Sequence, residues 1–189
     1  MPHEPATIPF TYPDVGATTG DFPKGYHHFR MRRRIGSGRP MFNHAASQVL
    51  EYEMQRGTGI FVAADTPTAE PGTEITIRLG GVGPFGITAP ARVVYILDEP
   101  NQRGFAYGTL PGHPLIGEEL FAVEYDPTDE SVYGIIAAFS RPGAWYVRAG
   151  GPAVRLMQRW FAWRYIMTVR SCDRAAKRKP KPEQGTTAH

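Results

Sequence analysis

Between Pro71 and Ser140 the sequence is a succession of short extended segments with no stretch of 3.6-residue period, which confines the middle of the chain to a sheet. After the Pro71-Gly72 turn, TEITIRL alternates Ile75, Ile77 and Leu79 with Glu74, Thr76 and Arg78. Such alternation predicts a sheet with one face toward water. PARVVYILDE, GFAYGTL, GEELFAVEY and SVYGIIAAFS follow, separated by the turn-prone EPNQRG, PGHPLIG and DPTDE. Short connections of this kind predict an antiparallel meander.

The flanks differ. From Tyr26 to Ile35 the chain alternates, with Phe29, Met31, Arg33 and Ile35 on one face and His28, Arg30, Arg32 and Arg34 on the other, a strand with a strongly basic side. Phe42, Ala45, Ala46, Val49, Leu50 and Met54 then recur at helical spacing, with Pro40 near the start and Gly57 just after, and predict an amphipathic helix. GIFVAAD is a short strand candidate. From about residue 144 to 175 the pattern is helical again, gathering Val154, Met157, Trp160, Phe161, Met167, Thr168 and Cys172 on one side and arginines on the other, with a break expected at Gly150-Gly151-Pro152.

Strand, helix, about six antiparallel strands and one long C-terminal helix make an α+β pattern, and the helix-grip fold has this order: a curved antiparallel sheet wrapped around that last helix. A ferredoxin-like domain would need a second helix between the middle strands, and a lipocalin barrel would not need the helix at 42–55. The expected organisation is an extended N-terminal arm over residues 1–22, a single helix-grip domain over 23–175 and a disordered basic tail over 176–189.

Composition removes several classes. With 189 residues, 41% hydrophobic and 12% aromatic, the chain has enough apolar side chains for one core without disulfides or metals. The lone Cys172 falls at an apolar helix position, where a small buried thiol is expected rather than a nucleophile. No segment has the length of a membrane span or the pattern of a secretory signal, so a cytoplasmic protein is expected. The net charge of +3 rests on Arg30, Arg32, Arg33, Arg34 and the tail KRKPKP with no nucleic-acid module beside it, so nucleic acid is not the expected partner. GSGRP and GGVGPFG lack the spacing of phosphate loops, Ser140 has no nucleophile-elbow context, and the histidines stand at no metal-ligand spacing. No cofactor and no metal are expected.

The densest polar cluster is YGTLPGHPLIGEELF, with Tyr107, Thr109, His113, Glu118 and Glu119 around a turn. Glu119 shares its strand face with Phe121, Val123 and Tyr125, whereas Glu118 aligns with Leu120, Ala122 and Glu124. If the aromatic face lines a cleft, Glu119 needs a partner there, and Tyr107 and Arg141 are the candidates. His113, between Gly112 and Pro114, is either a general base or a surface turn residue, and the latter is favoured. AFSRPGAWY forms a second cluster, in which Arg141 either clamps an acidic ligand group or, the favoured reading, fixes the strand end. Trp145, Trp160, Trp163 and Phe161 line a pocket or fill the core.

The stretches RVVYILDEPNQRGFAYGTLPGHPLIGEELFAVEY and AFSRPGAW, followed by GGP and Gln158, resemble the family called domain of unknown function nineteen-ninety, of the uncharacterised protein family 0548 type, from about Tyr26 to Thr168. Element order relates that family to the START and pollen-allergen-like (SRPBCC) superfamily, whose members hold apolar molecules between sheet and last helix. The expected function is binding of an apolar small molecule, lipid-, polyketide- or isoprenoid-like, by Tyr107, Thr109, His113, Glu119, Phe121, Ser140, Arg141, Trp145, Met157, Trp160 and Phe161. One alternative is a cyclase- or hydrolase-type enzyme in the same pocket with Glu119 or His113 as acid or base; no catalytic motif accompanies it. The other is a protein-interaction domain without a ligand, docking through the basic face of the first strand.

Overall fold

The structure, a computed structural model, describes residues 8–56, 61–79, 86–144, 163, 164 and 167. Its strands are β1 (His27–Ser37), β2 (Phe61–Ala64), β3 (Glu74–Leu79), β4 (Ile87–Glu99), β5 (Gln102–Thr109), β6 (Leu115–Tyr125) and β7 (Ser131–Pro142). They form one antiparallel sheet in the order β1-β7-β6-β5-β4-β3-β2, so β2 to β7 are a meander and the first strand closes against the last. Between β1 and β2 lie α1 (Arg39–Leu50) and the four-residue α2 (Glu53–Arg56).

Pro40 sits in the first turn of α1, where its missing N–H leaves no bond unmade. Met41, Phe42, Ala45, Ala46 and Val49 form its buried stripe over β5 and β6; burial of Phe42 and Val49 contributes about 2 kcal/mol each. The helix stops short of the predicted Met54. Tyr52 adopts a left-handed conformation (φ 61°), which turns the chain, and its fully buried ring meets Phe105 edge-on at 5.4 Å. One tyrosine anchor therefore overrides the continuing apolar pattern. Trp163, Arg164 and Met167 are helical, and Met167 packs against the same core. Most of the helix predicted over about 144–175, with Cys172, lies outside the described residues. No helix among the described residues is long and apolar enough to cross a membrane.

The inner face of the sheet carries Val93, Phe105, Tyr107, Phe121, Val123 and Ile136 against α1. The single wet face read from TEITIRL holds on β3, where Glu74 is exposed, but not at the sheet centre. On β5 the outward positions are Gly104, Ala106 and Gly108, all buried. These small residues admit close cover: a Cβ on Gly108 would collide with the Tyr12 hydroxyl and the Phe10 ring.

That cover is the chain before β1. Arg92, buried on β4, donates to the Ile8 carbonyl (2.7 Å) and to Glu74 (2.5 Å). Thr11 donates its N–H to the Thr109 carbonyl at 3.0 Å. Tyr12, Phe22 and Tyr26 surround Phe139 with ring centroids 5.1–5.8 Å apart, edge-on or tilted. Glu118 is the fixed point beneath: Oε2 accepts from Tyr12 (2.7 Å) and the Gly16 N–H (2.6 Å), and Oε1 from the N–H (3.0 Å) and hydroxyl of Thr18. Thr18 also meets the Tyr95 hydroxyl at 2.7 Å. Burial beside Glu118 pushes the Tyr12 phenol up, and burial raises Tyr95 to about 12.

Candidate functional site

The inward positions near the ends of four adjacent strands meet in one row. Glu119 on β6 is paired with Tyr107 on β5 and Ala138 on β7, and Ala138 with Phe29 on β1. Two residues along, Gly117 is paired with Ser140, and its N–H donates to Thr109 Oγ1 at 3.0 Å. His113 from the β5–β6 connection and Leu115 at the start of β6 close the row. Together they line a cavity of about 50 Å³ inside a cleft whose empty space, counting its open side, is about 470 Å³. That space, open on one side, has room for a few water molecules.

Glu119 keeps some surface toward this cavity, yet it lies deep enough that lost hydration raises its carboxyl to about 7 despite the opposing hydrogen bond from Tyr107. Tyr107 donates to Oε2 at 2.7 Å; Oε1 has no donor among the described residues. Tyr107 in turn stacks on Phe121 at 5.8 Å. His113 is half-buried rather than out in solvent, and burial lowers its imidazole to about 4, outweighing the Leu115 backbone contact that favours its charged form. It is neutral at pH 7. Its Nδ1 lies 3.0 Å from the Leu115 N–H and 2.9 Å from the Leu115 carbonyl, and the tautomer decides which bond is made. Among the described residues no group of histidine, cysteine and carboxylate side chains could hold a metal.

Of the eleven residues singled out in the sequence, Tyr107, Thr109, His113, Glu119 and Ser140 line the cavity, and Phe121 is core beside it. Arg141 does not reach Glu119. It is exposed, its guanidinium 5.3 Å from the centre of the Tyr26 ring. Trp145, Met157, Trp160 and Phe161 lie outside the described residues, and Trp163 is 47% exposed. Phe29, Leu115, Gly117 and Ala138 were missed, because strand pairing rather than residue type brings them there. Gly117 has φ 148°, and a Cβ on it would strike the Phe139 carbonyl oxygen. Gly117→Ala is therefore expected to lower stability by about 2–4 kcal/mol and detach the Thr109 bond, read by urea unfolding.

A Deinococcus radiodurans UPF0548 protein is 31% identical over 175 residues, covering 85% of this chain and 86% of that one. A ginseng (Panax ginseng) major latex-like protein 151 superposes with a TM-score of 0.53 at 14% identity, over 78% of this chain and 97% of the other. A Thalictrum norcoclaurine synthase, a point mutant in complex with a transition-state analogue, gives 0.53 at 10% identity over 79% and 95%. At such identities the two structures speak for the helix-grip fold alone. Residues 11–168 match the family described as Domain of unknown function (DUF1990), and the chain belongs to that family.

Proposed function

We propose that the chain binds a small, largely apolar molecule in the cleft between the inner sheet face and the C-terminal helix, with its polar end at Glu119 and Tyr107. One observation carries this reading: a carboxyl with one oxygen that has no donor among the described residues lines a cavity whose wall combines the apolar Phe29, Leu115 and Ala138 with the polar Thr109, His113 and Ser140. A closed core would have filled that space or satisfied that oxygen. Trp145, Met157, Trp160 and Phe161 would supply the helix-side wall, and Arg141 a rim. The domain that performs this runs over about 23–175, with the arm of residues 1–22 as its outer cover.

N-phenyl-1-naphthylamine, a neutral apolar fluorophore, tests it. Saturable binding of one molecule per chain is expected, weakened at least tenfold by Ala138→Phe, which fills the cavity, while the melting transition persists. No saturable binding, or binding that ignores Ala138→Phe, overturns the reading.

A second reading, acid–base catalysis in the same cavity, is favoured by one observation: Tyr107, His113 and Glu119 converge on a single void, and a carboxyl near 7 is poised to give or take a proton. The interaction-only reading has less support. Arg30 and Arg32 on the basic face already lie 3.8 and 3.3 Å over the Phe22 and Tyr133 rings, and Arg32 pairs with Glu124 at 2.6 Å.

A further inference from the structure

Resting on that binding reading, we propose that the ligand is an amphiphilic amine, its ammonium held at Glu119 Oε1 and its apolar body laid against Phe29, Leu115 and Ala138. The groups around Glu119 come from several elements. From β5 comes Tyr107, from β7 Ala138 and Ser140, from β1 Phe29, from β6 Glu118, whose carboxylate is taken up by Tyr12, Gly16 and Thr18, and from the β5–β6 connection His113, which is neutral at pH 7. No lysine or arginine stands among these described lining residues. The nearest candidate by sequence, Arg141, is turned to solvent over Tyr26.

The neighbouring residue shows what this chain does with a carboxylate it means only to bury. Glu118 receives four donors, two on each oxygen. Glu119, one residue away on the opposite face, receives one from the described residues, on Oε2. A partner for the other oxygen must donate a hydrogen bond from within the cavity. Water or an alcohol supplies the bond but leaves the charge in an apolar surround; an ammonium supplies both bond and countercharge. A ligand carboxylate meets the opposite fate, since two like charges in one small cavity cannot both stay ionised. The raised carboxyl of Glu119 agrees: burial disfavours its ionised form, no compensating charge faces it among the described residues, and a bound ammonium would return the carboxyl toward the ordinary range and release a proton near pH 7.

Calorimetry with three matched probes, 4-phenylbutylamine, 4-phenylbutan-1-ol and 4-phenylbutanoate, decides the matter on the full chain. At pH 8 the amine is expected to bind at least tenfold tighter than the alcohol, with the acid weakest. The preference should shrink at pH 5.5, where Glu119 is protonated, and amine binding at pH 7 should release protons, seen by comparing buffers of different ionisation enthalpy. Glu119→Gln, which keeps the shape and the Tyr107 contact, should bring amine and alcohol within threefold of each other. If the alcohol binds and the amine is no tighter, or the acid binds best, the amine assignment falls and the binding site stands. If none of the three binds, the site itself falls and the assignment with it.

Discussion

Glu118→Ala is expected to remove about 4 kcal/mol of unfolding free energy, the largest single effect in the chain, because it strands donors rather than merely deleting a side chain. The Tyr12 hydroxyl, the Thr18 hydroxyl and the N–H groups of Gly16 and Thr18 lose their common acceptor while Tyr12 and Thr18 remain buried. Each buried donor left unsatisfied costs about 1–3 kcal/mol, and part is recovered if the segment lifts into water. The same variant should therefore become sensitive to limited proteolysis between residues 8 and 20. Chemical unfolding and a timed thermolysin digest, which can cut before Phe10, Val15 and Ala17, measure the two consequences; a change below about 1 kcal/mol with an intact segment would contradict the anchoring role.

Glu119→Gln is expected to stabilise the protein by about 3 kcal/mol at pH 8 and to change little near pH 4.5. Folding raises this carboxyl from its ordinary 4.5 to about 7, so between those values the native state holds a proton that the unfolded chain has released. Stability from this group is present below pH 4.5 and lost as pH rises through 7. His113 runs the other way. Its imidazole falls from 6.5 to about 4 in the fold, so the unfolded chain binds the extra proton, and stability present above pH 6.5 is lost as pH falls through 4. Each shift is worth about 3 kcal/mol, and their windows overlap, so the two slopes nearly cancel in the parent chain. Single replacements should expose them: Glu119→Gln leaves a protein that weakens on acidification, His113→Asn one that strengthens. Difference curves against the parent from urea melts at closely spaced pH values isolate both. Parallel curves for all three proteins would mean that neither group is perturbed.

The side of the sheet on which each glutamate lies was legible because strand alternation is rigid: Phe121, Val123 and Tyr125 carried Glu119 inward and left Glu118 outside. The limits of β6 and β7 at DPTDE were legible from turn chemistry, whereas in EPNQRG only Pro100 and Asn101 turn the chain and Gln102 to Gly104 already belong to β5. Phe29 and Ala138 were not legible as cavity residues, because neither type announces a site and only the pairing of β1 with β7 and β7 with β6 sets them beside Glu119. The role of residues 8–22 was hidden as well. Their pattern has no period, and what holds them, Glu118 together with Arg92, Thr109 and Phe139, lies far along the chain. Gly104, Ala106 and Gly108 were the available signal: small residues alternating with Phe105, Tyr107 and Thr109 mark a strand covered on both sides.

The pairing of β1 with β7 also sets a timetable for folding. During synthesis β1 has no strand partner until residues 131–142 emerge, and the Thr18 hydroxyl waits equally long for Glu118. The β2 to β7 meander, whose neighbours are close in sequence, can zip as it appears, whereas residues 8–37 join through contacts of high sequence separation. Closure of the sheet is thus the late, slow event. Until then the inner face destined to enclose the cavity stands open on its β7 side, and the basic residues of β1 keep that waiting strand from pairing with another nascent copy of itself.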